Sequence, residues 1–399
     1  MIDWIMCGLM LAWAVSMAGL IWISRHAITG IPVPSTDAPS RRVAVIMPVA
    51  GVNRPIEASI HSLLNQTYPS FEAVFVLRDL EDPASETVQA AIRGKATARC
   101  VYAGPATLCG QKNHNLLAGI AAVSGRDDVL VFADAGHGFP AGWLELLIAP
   151  IARGEAEVTS GYHAARPANG GFVSWIYAVC VEIMYVFQNV PGLGLPWGGA
   201  MAISREAFER LKVADTWRTS VVDDLSLARV LKAHGVRVRT VPQVCRETLV
   251  TGLDLRDLYE WLVRQLQYIR FIFPGMWAVL GVWSLLLQIL AFCSAAVLVV
   301  AIMMSRTSAL SAIVSALYLA VLMVVFLQIR LLHPLPCLPV RWLAAGAVFL
   351  LVFIVALGAA GLRREIQWRG IAYRVGRSGR VLAMRQSNFV QHARWVLSS

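Results

Sequence analysis

Four apolar stretches constrain this chain more than any other feature, because a run of about 20 apolar residues finds few stable places outside hydrocarbon. The first covers residues 2–23, IDWIMCGLMLAWAVSMAGLIWI, and its single charge, Asp3, stands at the outer edge. The others cover roughly 276–304, 310–331 and 338–362. Each is long enough to span about 30 Å of hydrocarbon as a helix rising 1.5 Å per residue. Composition agrees: 15% of the residues are charged, where soluble domains carry about a quarter.

Charge placement orients the chain. Arg25, His26, Arg41 and Arg42 follow the first stretch and no cation precedes it. This predicts a signal anchor with its N-terminus outside, and a multi-pass protein of a bacterial inner membrane whose central domain is cytoplasmic. The expected organisation is an anchor over 1–24, a linker over 25–40, a mixed α/β domain over 41–270, three transmembrane or re-entrant segments within 276–362, and a basic tail over 363–399. The tail carries Arg363, Arg364, Arg369, Arg374, Arg377, Arg380, Arg385 and Arg394 against one acid, Glu365. Beside a membrane span, such a tail fits anionic lipid head groups better than nucleic acid. If all four stretches crossed, the tail would end outside, against the positive-inside rule. One C-terminal run is therefore expected to be re-entrant or to lie along the interface. Seven cysteines with no CxxC pair give no zinc or disulfide framework, which suits a reducing compartment.

The central region alternates strand and helix patterns. Residues 42–49 are a continuous apolar run that reads as a buried parallel strand. Gly51-Val52-Asn53 reads as a loop, and Pro55 opens a helix over 56–65. A strand over 71–77, a helix near 86–94, a strand near 99–102, a helix over 112–123 and a strand over 128–133 follow. This order predicts a doubly wound sheet, in which ligands bind at the carboxyl ends of the strands. Acids stand at two such ends, Asp79 and Asp134, and an acid pair, Asp223-Asp224, opens a helical pattern further on. Together they predict a binding cleft. No GxxxxGK[ST] or GxGxxG run is present, which argues against NTPases and dinucleotide enzymes.

An ordered set of short motifs carries a resemblance. Val-Ile-Met-Pro (45–48), Arg-Asp-Leu-Glu-Asp-Pro-Ala (78–84), Gln-Lys-Asn-His-Asn-Leu (111–116), Phe-Ala-Asp-Ala-Gly (132–136), Gly-Gly-Ala-Met-Ala-Ile-Ser-Arg (198–205) and Val-Asp-Asp-Leu-Ser-Leu-Ala (222–228) resemble the ceramide glucosyltransferase family, family 21, over roughly 41–275. The resemblance implies a GT-A fold: a Rossmann-like, mostly parallel sheet beside α-helical transmembrane segments. It implies inverting transfer of a sugar from a UDP-sugar donor to the hydroxyl of a membrane lipid. It places Asp79 near uridine, Asp134 as the remnant of the metal-binding Asp-x-Asp for Mg2+ or Mn2+, and Asp224 as general base. Lys112 matches a family lysine at a helix start, where it would face an anion or simply be solvated. Asp223 reads as a first-turn acid favoured by the helix dipole. His137 is a candidate metal ligand beside the missing second acid, and His163 reads as structural.

The motif Arg264-Gln265-Leu266-Gln267-Tyr268 departs from the family's (Gln/Arg)-x-x-Arg-Trp. Arg264 fits its first place, whereas Gln267 and Tyr268 replace the Arg and Trp. Gln cannot clamp phosphate as a bidentate cation, and Arg270, one turn on, is a candidate replacement. The departure keeps a second acceptor class open, a hopanoid polyol receiving N-acetylglucosamine. A processive polysaccharide synthase fits less well, lacking the intact motif and further spans. A non-enzymatic membrane protein would have to carry these motifs idle. The stretch 172–190, aromatic and apolar but containing Glu182, reads as an interfacial helix lining an acceptor groove or as a core helix. A fifth span there would put Asp134 and Asp224 on opposite sides of the bilayer.

Overall fold

A computed structural model describes residues 2–30, 40–51, 55–123, 125–168, 171–190, 192–304, 307–333 and 336–386. The expected loop residues Val52 and Asn53 and the tail beyond 386, Arg394 included, lie outside these. The chain begins with a long helix, α1 (Ile2–Gly30), and then enters an alternating domain: β1 (Val43–Pro48), α2 (Pro55–Leu64), β2 (Phe71–Leu77), α3 (Ser85–Ile92), β3 (Ala98–Tyr102), α4 (Gln111–Ala122), β4 (Val129–Ala133) and α5 (Trp143–Ala152). These elements fall within a residue or two of the sequence expectations. The reason is that β1, β2 and β4 are buried on both faces, so their apolar runs need no partner to be recognised.

Next come β5 (Val158–Pro167), α6 (Phe172–Gln188), β6 (Ala200–Ser204), α7 (Arg205–Arg210), α8 (Val213–Trp217), α9 (Asp224–Ala233) and β7 (Val238–Val250). The seven strands form one sheet in the order β3-β2-β1-β4-β6-β5-β7. The pairs β1–β2, β2–β3, β1–β4 and β5–β7 are parallel, and β6 runs antiparallel to both neighbours. The sheet is thus mostly parallel, as expected, with one reversed strand. Successive strands step away from β1 on one side and β4 joins it on the other, so the switch point lies between β1 and β4.

Four apolar or amphipathic helices follow: α10 (Leu255–Ile272), α11 (Pro274–Met304), α12 (Ala309–Arg330) and α13 (Pro339–Leu362). Among the described residues, four helical segments are long and apolar enough to cross a membrane: Gly8–Gly30 of α1, then α11, α12 and α13. The two ends of α13 are fastened to different elements, one near β5 and the other to α10. Ahead of its N-terminus His333 Nε2 donates to Ala165 O at 3.0 Å, and the His333 ring meets those of Trp175 and Trp342. At its C-terminus Arg270 Nη1 donates to Ala360 O at 2.7 Å and Arg363 O at 2.9 Å, and Arg363 forks onto Glu260. Between these ends α13 packs along α6 and α10.

Residues 365–386 are not the basic tail expected there. They form β8 (Glu365–Trp368), β9 (Ile371–Val375), a short 3-10 turn and β10 (Val381–Gln386), a three-stranded antiparallel sheet. Its buried face, Ile366, Tyr373, Val375 and Val381, shares a core with Val221 and Val222 before α9 and with Tyr268 and Ile272 of α10. Val381 N donates to Thr219 O at 2.8 Å and Val221 N to Gly379 O at 3.0 Å, so this sheet holds the segment carrying the acid pair.

Candidate active site

The cleft is assembled at the strand ends around one lysine. Lys112 is the second residue of α4, and the polar residues around it are all spent on position. Gln111 Nε2 donates to Gly104 O and Asn115 Oδ1, Asn113 Nδ2 donates to Ser220 O, and His114 Nε2 donates to Ala103 O. Lys112 instead reaches the acids. Its Nζ lies 2.8 Å from Asp134 Oδ1, just past β4, and 3.1 Å from Asp223 Oδ2, and all three side chains are buried. Burial works against the lysine charge, but Asp134, then Asp223 and Asp224, outweigh it and raise its pKa. Burial also raises the pKa of Asp134, with Lys112 opposing. The lysine is therefore neither solvated nor set to receive an anion directly. It is the counter-ion of the acids.

The acid pair divides its work differently from the sequence expectation. Asp223 makes no capping hydrogen bond and is fully buried against Lys112, so it is an ion-pair partner rather than a first-turn acid drawn only by the helix dipole. Asp224 opens α9 and is half-buried. Its Oδ1 accepts from Leu225 N at 2.6 Å and its Oδ2 from Gly198 N at 3.3 Å. Burial, then the neighbouring Asp223 charge, pushes its pKa up to about 7. A carboxyl poised there can take a proton at neutral pH. Gly198 explains the Gly-Gly motif: a Cβ there would come within 2.7 Å of Lys112 Nζ and would collide with Asp223 Oδ2.

Behind Asp134 lies a second buried layer. His137 and His163 share the Thr248 hydroxyl, at 2.8 and 2.7 Å from their Nδ1 atoms. His163 stacks on Trp197 with ring centroids 4.6 Å apart. Arg246, on β7, is buried between the rings of Phe139 and Trp197 and donates to Gly199 O. Burial, then the Arg246 charge, holds His137 far below the usual imidazole range. His137 is thus tied into the core, and among the described residues no group of three or more His, Cys, Asp or Glu is placed to hold a metal ion. Arg246 carries no recognisable sequence motif and is visible only in three dimensions.

The remaining expected residues spread apart. Asp79, after β2, is half-exposed and pairs with Arg78 at 3.2 Å, at the rim of the cleft. Asp82, in the same motif, accepts from Gly51 N at 2.8 Å and Ala84 N at 2.9 Å and so shapes the loop after β1. Arg264 is buried on α10, where Tyr177 and Tyr268 act on its charge. Tyr268 is buried near enough to feel Asp224, Asp223 and Lys112. Gln267 Nε2 donates to Glu365 O at 2.9 Å, outside the acid cluster. The structure does not bring Arg270 into the cleft, because its guanidinium is committed to the last carbonyls of α13.

The profile of Glycosyl transferase family 21 matches residues 8–381. The chain belongs to this family. It is a glycosyltransferase, and its sheet is of the GT-A kind. The mannosyltransferase PcManGT from Pyrobaculum calidifontis, solved with GDP-Man and Mn2+, aligns over 86% of this chain and 99% of its own, with a TM-score of 0.51 and 18% identity. Glucosyl-3-phosphoglycerate synthase from Mycobacterium tuberculosis, solved with Mn2+, UDP-glucose and phosphoglyceric acid, aligns over 55% of this chain and 74% of its own, with a TM-score of 0.35 and 18% identity. No curated protein matches the chain significantly by sequence.

Proposed function

We propose that this family 21 enzyme transfers a sugar, with inversion, from a UDP-sugar to the hydroxyl of a membrane lipid. The observation that carries this reading is the half-buried Asp224, poised near neutrality beside a buried Asp134–Lys112–Asp223 cluster at the sheet's switch point. The acceptor oxygen attacks the anomeric carbon, its proton passes to Asp224, and the bond to the diphosphate breaks on the opposite face. Gly198 N–H and Leu225 N–H hold the carboxylate in place. Asp79 at the rim suits the uridine end of the donor, and Arg264 lies on the side of α10.

The donor set fits a divalent ion, Mg2+ or Mn2+. Asp134 Oδ2 is buried without a hydrogen-bond partner, and the Asp223 carboxylate lies across Lys112 from it. Such an ion takes one or two carboxylates and completes its shell with phosphate oxygens and water. When bound it neutralises charge on the departing diphosphate. His137, held by Thr248, is not required for this.

The acceptor we favour is a ceramide-like lipid. The helix α6 supports a lipid acceptor: it is packed between the domain and α1, α12 and α13, with Phe172 and Met184 exposed. The second reading, N-acetylglucosamine transfer to a hopanoid polyol, is favoured by one observation, the use of Gln267 as a structural donor where the family motif has an arginine. We also infer that α1, α11 and α12 cross the membrane and that α13 lies in its plane under the domain, supported by the ties of its two ends to β5 and to α10. This brings residues 365–386 to the catalytic side and agrees with the positive-inside rule. The deciding experiment gives detergent-purified protein and Mn2+ each UDP-sugar with ceramide or with hopanoid polyol. UDP release with ceramide and a glycosylated product by mass spectrometry support the first reading. Turnover with hopanoid polyol alone replaces it, and no UDP release with any lipid overturns the lipid-acceptor reading.

A further inference from the structure

One cation reaches the cleft from the far end of the chain. The strands β8 and β9 pair Trp368 with Ile371 across a two-residue turn, Arg369-Gly370, in which φ is 45° and 73°. Left-handed backbone at both positions is the geometry for which Asn-Gly or Gly-Gly is usual. An arginine held there is a local strain that points to a use for its side chain. That side chain is exposed, and its Nη1 donates to Ala50 O at 2.7 Å, on the loop that leaves β1 at the switch point. Its Nη1 stands 3.6 Å from where a Cβ on Gly51 would be, so the guanidinium packs against the Ala50-Gly51 backbone. Next to that contact, Gly51 N donates to Asp82 Oδ1 at 2.8 Å, which ties the loop after β1 to the loop after β2 at the strand ends.

The turn is fixed in this position. Tyr373 is buried with its hydroxyl receiving Gln111 N at 3.3 Å, one residue from Lys112. Gln267 Nε2 holds Glu365 O, at the start of the hairpin. Thus the position where the family motif has its arginine is occupied by the residue that ties down the hairpin carrying another arginine. One guanidinium N–H is engaged by Ala50, and an arginine has five to offer.

We propose that Arg369 binds the diphosphate of the nucleotide-sugar donor, the C-terminal hairpin supplying the cation that the α10 motif lacks. This rests on the nucleotide-sugar reading above. The test is calorimetric titration of the full-length protein in detergent, with Mn2+, by UDP and by uridine. The variants are Arg369→Asn, which suits the left-handed turn but removes the charge, and Arg369→Lys, which keeps it. The wild type is expected to bind UDP well ahead of uridine. Charge-assisted hydrogen bonds of this kind make Arg369→Asn weaken UDP by roughly 10- to 100-fold while leaving uridine unchanged, with Arg369→Lys between. If Arg369→Asn keeps the full preference for UDP, or loses UDP and uridine equally, Arg369 is not a diphosphate ligand although the donor reading stands. A wild type that does not distinguish UDP from uridine overturns the donor reading and this proposal with it.

Discussion

Asp224 and Asp223 are adjacent, yet their surroundings separate them. Asp224 faces the cleft with two backbone N–H groups on it, and Asp223 is spent on Lys112. Replacing Asp224 with Asn should lower kcat by about 10²- to 10⁴-fold, the usual worth of a positioned base. Because only the ionised form takes a proton and burial with Asp223 lifts its pKa to about 7, kcat/KM should rise with pH through about 7 and level above it. A profile flat from pH 5 to 9 would contradict that assignment. Lys112→Met strands two buried carboxylates. Breaking a buried pair costs roughly 3–5 kcal/mol, so thermal unfolding should shift sharply downward, and an unchanged Tm would argue against the pair. The acids and the lysine were legible as types in the sequence. Their pairing was not, because Lys112 and Asp223 meet only after α4 and the start of α9 are brought together by the Asn113–Ser220 hydrogen bond.

At the scale of elements, α10 shows how one helix distributes a motif. Arg264 is buried, Gln267 reaches β8, Tyr268 packs with Val221 and Val222 before the acids, and Arg270 closes the C-terminus of α13. Helical spacing correctly put Arg270 one turn from Gln267, but spacing carries no information about what lies opposite each face. Arg270→Ala should therefore lower stability by about 1–3 kcal/mol, the penalty for stripping charged hydrogen bonds from partly buried carbonyls, with little change in the donor KM. A donor KM raised tenfold without loss of stability would instead return Arg270 to the donor site. Glu260→Ala, which removes a partly exposed partner of Arg363, should cost under about 1 kcal/mol.

At the scale of the whole molecule, the disagreement between four spanning stretches and a basic C-terminal region is resolved if α13 lies in the membrane plane. Single cysteines in a cysteine-free background test this. Ser308→Cys, between α11 and α12, should react with an impermeant maleimide in intact cells, and Arg377→Cys, between β9 and β10, only after lysis. Labelling of Arg377→Cys in intact cells would show that α13 crosses. The sequence by itself determined that the chain has stretches long and apolar enough to cross a membrane, that strands alternate with helices from Val43 to Ala133, and which acids stand at the strand ends, because length, burial periodicity and strand-end position are local properties. Only the tertiary structure decided that Asp223 belongs to Lys112, that His137 is locked to Thr248, that α13 is pinned at both ends, and that residues 365–386 return to the cleft. Those depend on contacts such as that between Gln111 and Tyr373, 262 residues apart, and no local pattern specifies which distant segment will bury a given face.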